Sequence, residues 1–155
     1  MPNHCSNRVT ISAHDGKEDQ FKSVLKAFES ERPFQSLYPQ PDWPNIPNKD
    51  GVLPELREMK RPDGTVFTTT YYFPDGTNDD RWYDWCYKNW GTKWDAYDFH
   101  VADIDEECGY ATFEFMTAWA PADGIYNVIR EKFPDVGISW FYDEPGCELA
   151  GYLPN

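Results

Sequence analysis

Apolar residues alternate with polar ones near the start of the chain and then recur with a helical period. The stretch RVTISA, residues 8–13, puts three apolar residues on one side, the pattern of a short half-buried strand: Val9, Ile11 and Ala13. Four more follow at i, i+3, i+4 and i+7, the spacing of an amphipathic helix: Phe21, Val24, Leu25 and Phe28. A D-x-x-E capping box at Asp15 and Glu18 is expected to begin this helix, and Pro33 to end it.

The second half of the chain repeats the order of strand and helix. Residues 94–102 are predicted to form a strand, and YATFEFMTAW, residues 110–119, is the strongest strand pattern of the sequence. Pro121 opens a second amphipathic helix that Pro134 stops. A last main strand at residues 138–142 turns through EPG into a hairpin with residues 148–153.

A tryptophan-rich segment, WYDWCYKNWGTKW at residues 82–94, lies between these two halves. As a helix it would gather Trp82, Trp85, Cys86, Asn89 and Trp90 on one side, followed by Gly91 as a natural C-terminal cap. Aromatic stripes at helical spacing are usually core. We therefore expect this helix to act as a packing wedge, with a ligand pocket as the alternative.

Residues 33 to about 80 differ in composition from the rest, since eight of the thirteen prolines lie there. Residues 33–51 are expected to be irregular and to lie over the surface. Two PDG turns, at residues 62–64 and 74–76, bracket the β-rich run TVFTTTYYF, which is predicted to pair with REMKR as a hairpin. The segment is short and proline-rich, so we interpret it as an insertion and not as a second domain.

Together these elements predict an α+β fold of the ferredoxin-like type. Its antiparallel βαββαβ sheet would carry two helices on one face, with an insertion at about 33–80, the extra Trp-rich helix and a C-terminal β-hairpin. The chain of 155 residues suits a single domain, 1–155. The opposite face of the sheet would be exposed or covered by the insertion.

Charge narrows the possible functions. The net charge is −13, from 27 acidic and 14 basic residues. Such a chain is repelled by phosphate backbones and anionic membranes, so direct nucleic-acid or membrane binding is not expected. The N-terminus lacks the apolar centre of a signal peptide, and the four cysteines show no CxxC pairing. Reduced thiols and a cytoplasmic location are therefore predicted, with oligomeric state left open.

Several short motifs resemble a known family. The segments MPNHCSN before the first strand, NWGTKWD at residues 89–95, TAWAP at 117–121 and Y-x-EPG at 142–146 resemble the YubB-type ferredoxin-like family. His4 stands where an aromatic residue is expected, and Ala122 where a second proline is usual. The resemblance implies the ferredoxin-like fold and a small phage- or plasmid-borne protein of a bacterial host. It implies no catalytic residues.

Motifs for chemistry are weak. Asp103, Asp105, Glu107 and Glu114 occupy positions 1, 3, 5 and 12 of a calcium loop, but Cys108 stands where that loop needs glycine, so a solvated acidic turn is preferred. CGYATFEF loosely matches an RNA-recognition strand whose two stacking positions would be Tyr110 and Thr112, so one of the two aromatic residues is missing. The chain has no HExxH, Walker lysine, GxGxxG or GxSxG. We therefore predict no catalytic residues, no metal site and no cofactor.

These observations favour a non-enzymatic acidic interaction protein of mobile-element type. Its partner would be a host or defence protein whose basic nucleic-acid-binding surface it occupies. The predicted partner-binding residues are acidic: Asp95, Asp98, Asp103, Asp105, Glu106 and Glu107. The alternative is a pocket for a planar anionic ligand such as a nucleotide, formed by Trp85, Lys88, Asn89, Trp90, Lys93 and Trp94. An RNA-binding protein or a metal-dependent enzyme is the second alternative.

Overall fold

A computed structural model describes residues 3–154. They divide into two compact units, one made of the residues up to Pro39 and from Cys86 onward, the other of Gln40–Trp85. The strands of the described chain are β1 His4–Ala13, β2 Glu55–Lys60, β3 Val66–Tyr72, β4 Tyr97–Asp105, β5 Tyr110–Ala118, β6 Val136–Glu144 and β7 Leu149–Tyr152. Its helices are α1 Glu18–Phe28, α2 Pro33–Leu37, α3 Arg81–Asn89 and α4 Asp123–Lys132, with a 3-10 turn at Trp43–Asn45.

Five strands form one antiparallel sheet in the order β4-β5-β1-β6-β7. The first four have the arrangement of a ferredoxin-like βαββαβ sheet, and β7 adds the terminal hairpin. The predicted fold class is confirmed. Because β1 lies at the centre, β4 and β7 are the two edges of this sheet.

One face of the sheet carries the core, as the alternation of β1 predicts. Val9 lies between Phe113 of β5 and Trp140 of β6, and all three are fully buried. Phe28 of α1 stacks on Phe113 with 4.9 Å between ring centroids. Tyr126 of α4 meets Trp140 edge to face at 6.4 Å. Both amphipathic helices therefore cover the same face. The apolar residues that predicted α1 are the ones it buries, and α4 buries Ile125, Tyr126, Val128 and Ile129.

The start of α1 differs from the prediction. No side chain caps this helix, whose N-cap residue is Lys17. The Glu18 carboxylate instead accepts the Gly16 N–H at 3.2 Å, so the predicted capping box does not form. Pro33 opens α2 instead of ending α1, because proline at a first helical position has no N–H to lose. The stretch 33–51, predicted to be irregular, contains α2 and the 3-10 turn.

The unit Gln40–Trp85 contains the predicted hairpin, in which β2 and β3 pair antiparallel around the first PDG turn. Within this unit the Arg81 side chain contacts Asp79 and two aromatic rings. Its guanidinium donates two hydrogen bonds to Asp79 at 2.8 and 2.9 Å. It also lies 5.1 Å from the Trp43 ring and 5.4 Å from the Phe73 ring. The assignment of 1–155 to a single domain stays a prediction.

Candidate functional site

The candidate site is the outer edge of the five-stranded sheet, formed by β4 and the turn that follows it. Every residue of β4 from His100 onward is exposed. The strand is irregular, with register shifts after Tyr97 and after Val101, and Asp98 has a positive φ of 49°. Bulges of this kind twist an edge away from regular pairing. This edge is therefore guarded against the addition of another strand.

Five of the six predicted partner-binding residues lie on this edge with exposed side chains: Asp98, Asp103, Asp105, Glu106 and Glu107. We call them the acidic edge. Asp105 also stabilises the turn, because its carboxylate accepts the Cys108 N–H at 3.0 Å. Hydrogen bonding from Cys108 holds the pKa of Asp105 below its usual value, so the charge persists at neutral pH.

The sixth predicted residue, Asp95, has a structural role. Its carboxylate accepts the N–H groups of Phe34 and Gln35, at 2.9 and 3.0 Å, at the beginning of α2. It also accepts the N–H of Ala96 at 2.8 Å. The side chain is 11% exposed, and burial raises its pKa against the lowering effect of these hydrogen bonds. Asp95 therefore anchors α2 and offers little surface to a partner.

The acidic edge has no counter-charge. In residues 3–154, none of its five carboxylates takes part in a salt bridge. The nearby basic side chains contact another acid: Glu114 of β5 forms a salt bridge with Arg8 at 2.5 Å and a hydrogen bond with the His100 ring at 2.8 Å. The three residues of this cluster lie far apart in the sequence. They meet because they occupy paired positions on neighbouring strands, and the sequence alone does not show that pairing. The edge charges are thus left to the solvent or to a partner.

Two apolar side chains accompany the acidic edge. Val101 is 43% exposed and Ile104 is 39% exposed. They pair across the strands with Phe113 and Ala111, so they point to the helix-covered side of the sheet. Asp103, opposite Thr112, lies on the other side. The edge therefore combines a charged side with a small apolar side, a composition that suits contact with another protein.

The six residues of the tryptophan alternative differ in their exposure. Trp90 is fully buried, and its indole N–H donates to the Tyr38 carbonyl at 2.8 Å. Asn89 accepts a hydrogen bond from the Tyr38 hydroxyl at 3.0 Å. Lys93 lies 4.2 Å from the ring of Trp94, which is 40% exposed. Within α3 only Cys86 is buried, while Trp85 is half-buried and Lys88 exposed.

Two cavities of residues 3–154 are lined by residues other than those six. One of about 640 Å³ lies within the unit Gln40–Trp85, where Lys49, Asp50, Phe73 and Arg81 are among its lining residues. Another, of about 210 Å³, lies between α4 and Leu153. The predicted nucleotide pocket has no support from either cavity.

The glycine of NWGTKWD marks a close junction between the end of α3 and the beginning of α4. Gly91 has a φ of 88°, and a Cβ there would lie 1.9 Å from the Asp123 carboxylate. A Cβ at Gly124 would lie 1.8 Å from the Asn89 carbonyl oxygen. Gly91 requires glycine because of its positive φ, and Gly124 because two backbones meet there without room for a side chain. The motif is thus a structural joint.

The other segments of the family resemblance contribute residues to buried hydrogen bonds. Asn7 donates to the Thr117 hydroxyl at 2.9 Å and accepts from the Trp140 indole at 2.9 Å. Thr117 in turn donates to the Ala120 carbonyl at 2.7 Å. Glu144 is 1% exposed and accepts the N–H groups of the EPG turn. Met1 and Pro2 of MPNHCSN lie outside the described residues. These motifs specify the fold, since fully satisfied polar groups fix one packing.

The remaining chemical motifs are also dispersed. Among residues 3–154, no group of three or more His, Cys, Asp or Glu side chains is placed to hold a metal ion. Tyr110 of the RNA-type pattern accepts a hydrogen bond from the Thr112 hydroxyl at 2.9 Å. No helix in this range has the length and apolarity needed to cross a bilayer.

Comparison with known proteins supports the fold. Residues 89–154 match a family described as the ferredoxin-like domain in Api92-like protein. The matched segment contains β4, β5, α4, β6 and β7, and so includes the acidic edge. It is less than half of the 155 residues. The match supports a ferredoxin-like domain family, while the YubB-type name stays a prediction. No curated protein and no solved structure matches the chain.

Proposed function

We propose that this chain is a non-catalytic interaction protein that binds a basic surface of another protein through its acidic edge. The observation that supports this most is the set of five exposed carboxylates without an internal cation. Like charges along β4 and the turn that follows it repel each other, and a cationic partner would relieve that repulsion. The net charge of −13 favours the same class of partner and disfavours nucleic acid.

The bulges of β4 indicate how the partner would bind. Because the edge is guarded against strand addition, the contact would be made by side chains and not by an extended sheet. Val101 and Ile104 would supply apolar area beside the ion pairs. We further propose that this chain is a phage- or plasmid-borne protein and that it uses the acidic edge in the bacterial cytoplasm. There it would occupy the nucleic-acid-binding surface of a host or defence protein.

The test compares two variants of equal charge. The edge variant carries Asp98→Asn, Asp103→Asn, Glu106→Gln and Glu107→Gln, and keeps Asp105 because it supports the turn. The control variant neutralises four exposed carboxylates elsewhere: Asp15→Asn, Glu29→Gln, Glu31→Gln and Glu131→Gln. Four neutralisations change the formal charge from −13 to −9 in both proteins. Any difference between them therefore reports position and not total charge.

Capture from bacterial lysate is followed by affinity measurement on the recovered protein. The wild type and the control variant should recover the same salt-sensitive partner, and the edge variant should lose it. At about 0.5 kcal/mol for each exposed charge pair, four neutralisations weaken binding by about 2 kcal/mol, roughly 30-fold. Equal recovery by both variants, or no recovery by the wild type, would refute the proposal.

A further inference from the structure

The hairpin of the unit Gln40–Trp85 has two edges of opposite character. β2 reads ELREMK, with charged side chains at four of its six positions. β3 reads VFTTTYY and contains no charged residue and no proline. Natural proteins guard edge strands with charges, proline or bulges that prevent pairing with other chains. The edge of β2 is guarded by its charges. β3 has a bulge near its start, where Phe67 is the extra residue, but its residues 68–72 pair regularly with β2 and have high strand propensity.

Hydrogen bonding shows which backbone groups of β3 face outward. The Tyr71 carbonyl accepts the Asp79 N–H at 3.0 Å on the side away from β2. Outward and inward residues alternate along an antiparallel strand, so Thr69 also points its N–H and C=O outward. The isolated bridge from Tyr72 to Asn78 covers only the end of this edge. Along residues 66–70, no strand of the described chain pairs with it.

The hairpin also exposes apolar side chains. Val66 is 45% exposed, Phe67 51% and Leu56 56%. Every residue of β2 is exposed, and β3 has no buried residue. A two-stranded sheet without a packed layer is marginally stable in water. Further strands would stabilise it.

We propose that the outer edge of β3 pairs antiparallel with the same edge of a second copy of this chain. The product is a four-stranded sheet across a two-fold axis, an isologous interface that closes at two copies. Self-pairing matches Thr, Val and aromatic residues against one another, and such cross-strand pairs stabilise sheets.

Charge indicates why the occupant is a second copy. Two chains of −13 each repel one another over most of their surfaces. Residues 55–72 carry three acidic and three basic side chains, so this region is neutral: Glu55, Glu58, Asp63, Arg57, Lys60 and Arg61. Two copies can therefore meet along β3 without like-charge repulsion. A cationic partner would find no acidic side chain on β3 itself.

Two proline variants test the edge. Thr69 and Glu58 lie directly opposite each other in the hairpin. Because Thr69 points outward, so does Glu58, and neither N–H supports the β2–β3 ladder. Thr69→Pro removes a donor from the edge of β3, and Glu58→Pro removes the matching donor from the edge of β2. Sedimentation equilibrium of the full chain from about 1 to 100 μM, which brackets micromolar association, gives the dissociation constant.

The wild type and Glu58→Pro should reach twice the monomer mass with similar dissociation constants, and Thr69→Pro should raise the constant at least tenfold. A second measurement does not depend on a variant. Amide exchange of Thr69 should slow as wild-type concentration rises, while exchange of Glu58 should not change. A wild type that stays monomeric at 100 μM would overturn the proposal. So would a Thr69 amide insensitive to concentration, or a dimer lost in Glu58→Pro and kept in Thr69→Pro.

Discussion

Replacing Trp90 by phenylalanine tests whether the NWGTKWD segment has a structural role. The Trp90 side chain is fully buried, with its ring edge to face against Phe34 at 5.8 Å. Trp90→Phe removes about 50 Å² of buried apolar surface, worth about 1.2 kcal/mol. It also removes the indole donor from the Tyr38 carbonyl, which costs about 1 kcal/mol more. The expected loss of unfolding free energy is therefore about 2 kcal/mol.

Trp94→Phe is the matched control, since it makes the same chemical change four residues later. Trp94 is 40% exposed and keeps an aromatic ring beside Lys93 and Tyr97 after the change. Its expected cost is about 0.5 kcal/mol. Urea denaturation followed by far-UV circular dichroism compares the two, with a midpoint shift of about 1 M for Trp90→Phe. Equal costs, or a larger cost for Trp94→Phe, would contradict the structural role of Trp90.

Three further predictions concern packing, ionisation and thiol reactivity. Gly124→Ala should cost about 2–4 kcal/mol in thermal unfolding, because its Cβ would meet the Asn89 carbonyl oxygen at 1.8 Å; an unchanged melting curve would disprove this junction. The pKa of Asp95 is raised in the folded protein, so the folded state binds this proton more tightly than the unfolded state, and Asp95 lowers the free energy of unfolding as pH rises above 3.8. Asp95→Asn should remove that fall when the free energy of unfolding is measured against pH. Parallel curves for the wild type and the variant would refute this. Iodoacetamide at pH 8 should modify only the exposed Cys108 and Cys147 in the native protein, and all four thiols in urea. Burial raises the pKa of Cys5 and Cys86 to about 11, which suppresses their reactive thiolate. Labelling of Cys5 or Cys86 in the native protein would contradict this.

Periodicity predicted the parts of the fold whose cause is local. The alternation around Val9 and the helical spacing of Phe21 to Phe28 identify the first strand and helix, because each buries the face that its sequence makes apolar. The same argument found β5 and α4. The PDG turns located the β2–β3 hairpin, since glycine supplies the positive φ that such turns need.

Long-range contacts explain what the sequence could not predict. The helix α2 begins where Asp95 reaches its amides from more than fifty residues away in sequence. The same contacts bury most of the Asp95 side chain, although the sequence placed this residue in an exposed acidic run. The pairing of Glu114 with Arg8 and His100 likewise depends on the register of β4, β5 and β1. The acidic composition of the candidate site could be predicted, but which of its carboxylates face solvent could not.

Two of the strand edges, those of β4 and β3, illustrate one physical distinction. β4 is bulged and flanked by like charges, so it favours electrostatic contact over strand pairing. β3 has a single bulge at Phe67; beyond it the strand is regular, neutral and rich in threonine and tyrosine, so it favours strand pairing. The two proposals therefore use separate surfaces, and the failure of one leaves the other standing.

Hydrogen exchange of the chain with and without its captured partner tests the central claim most directly. The account predicts that the partner slows amide exchange at residues 98–107, which include the acidic edge. Exchange at residues 55–72 should not change at a fixed protein concentration. Protection confined to residues outside 98–107, with the acidic edge exchanging as fast as in the free protein, would contradict it.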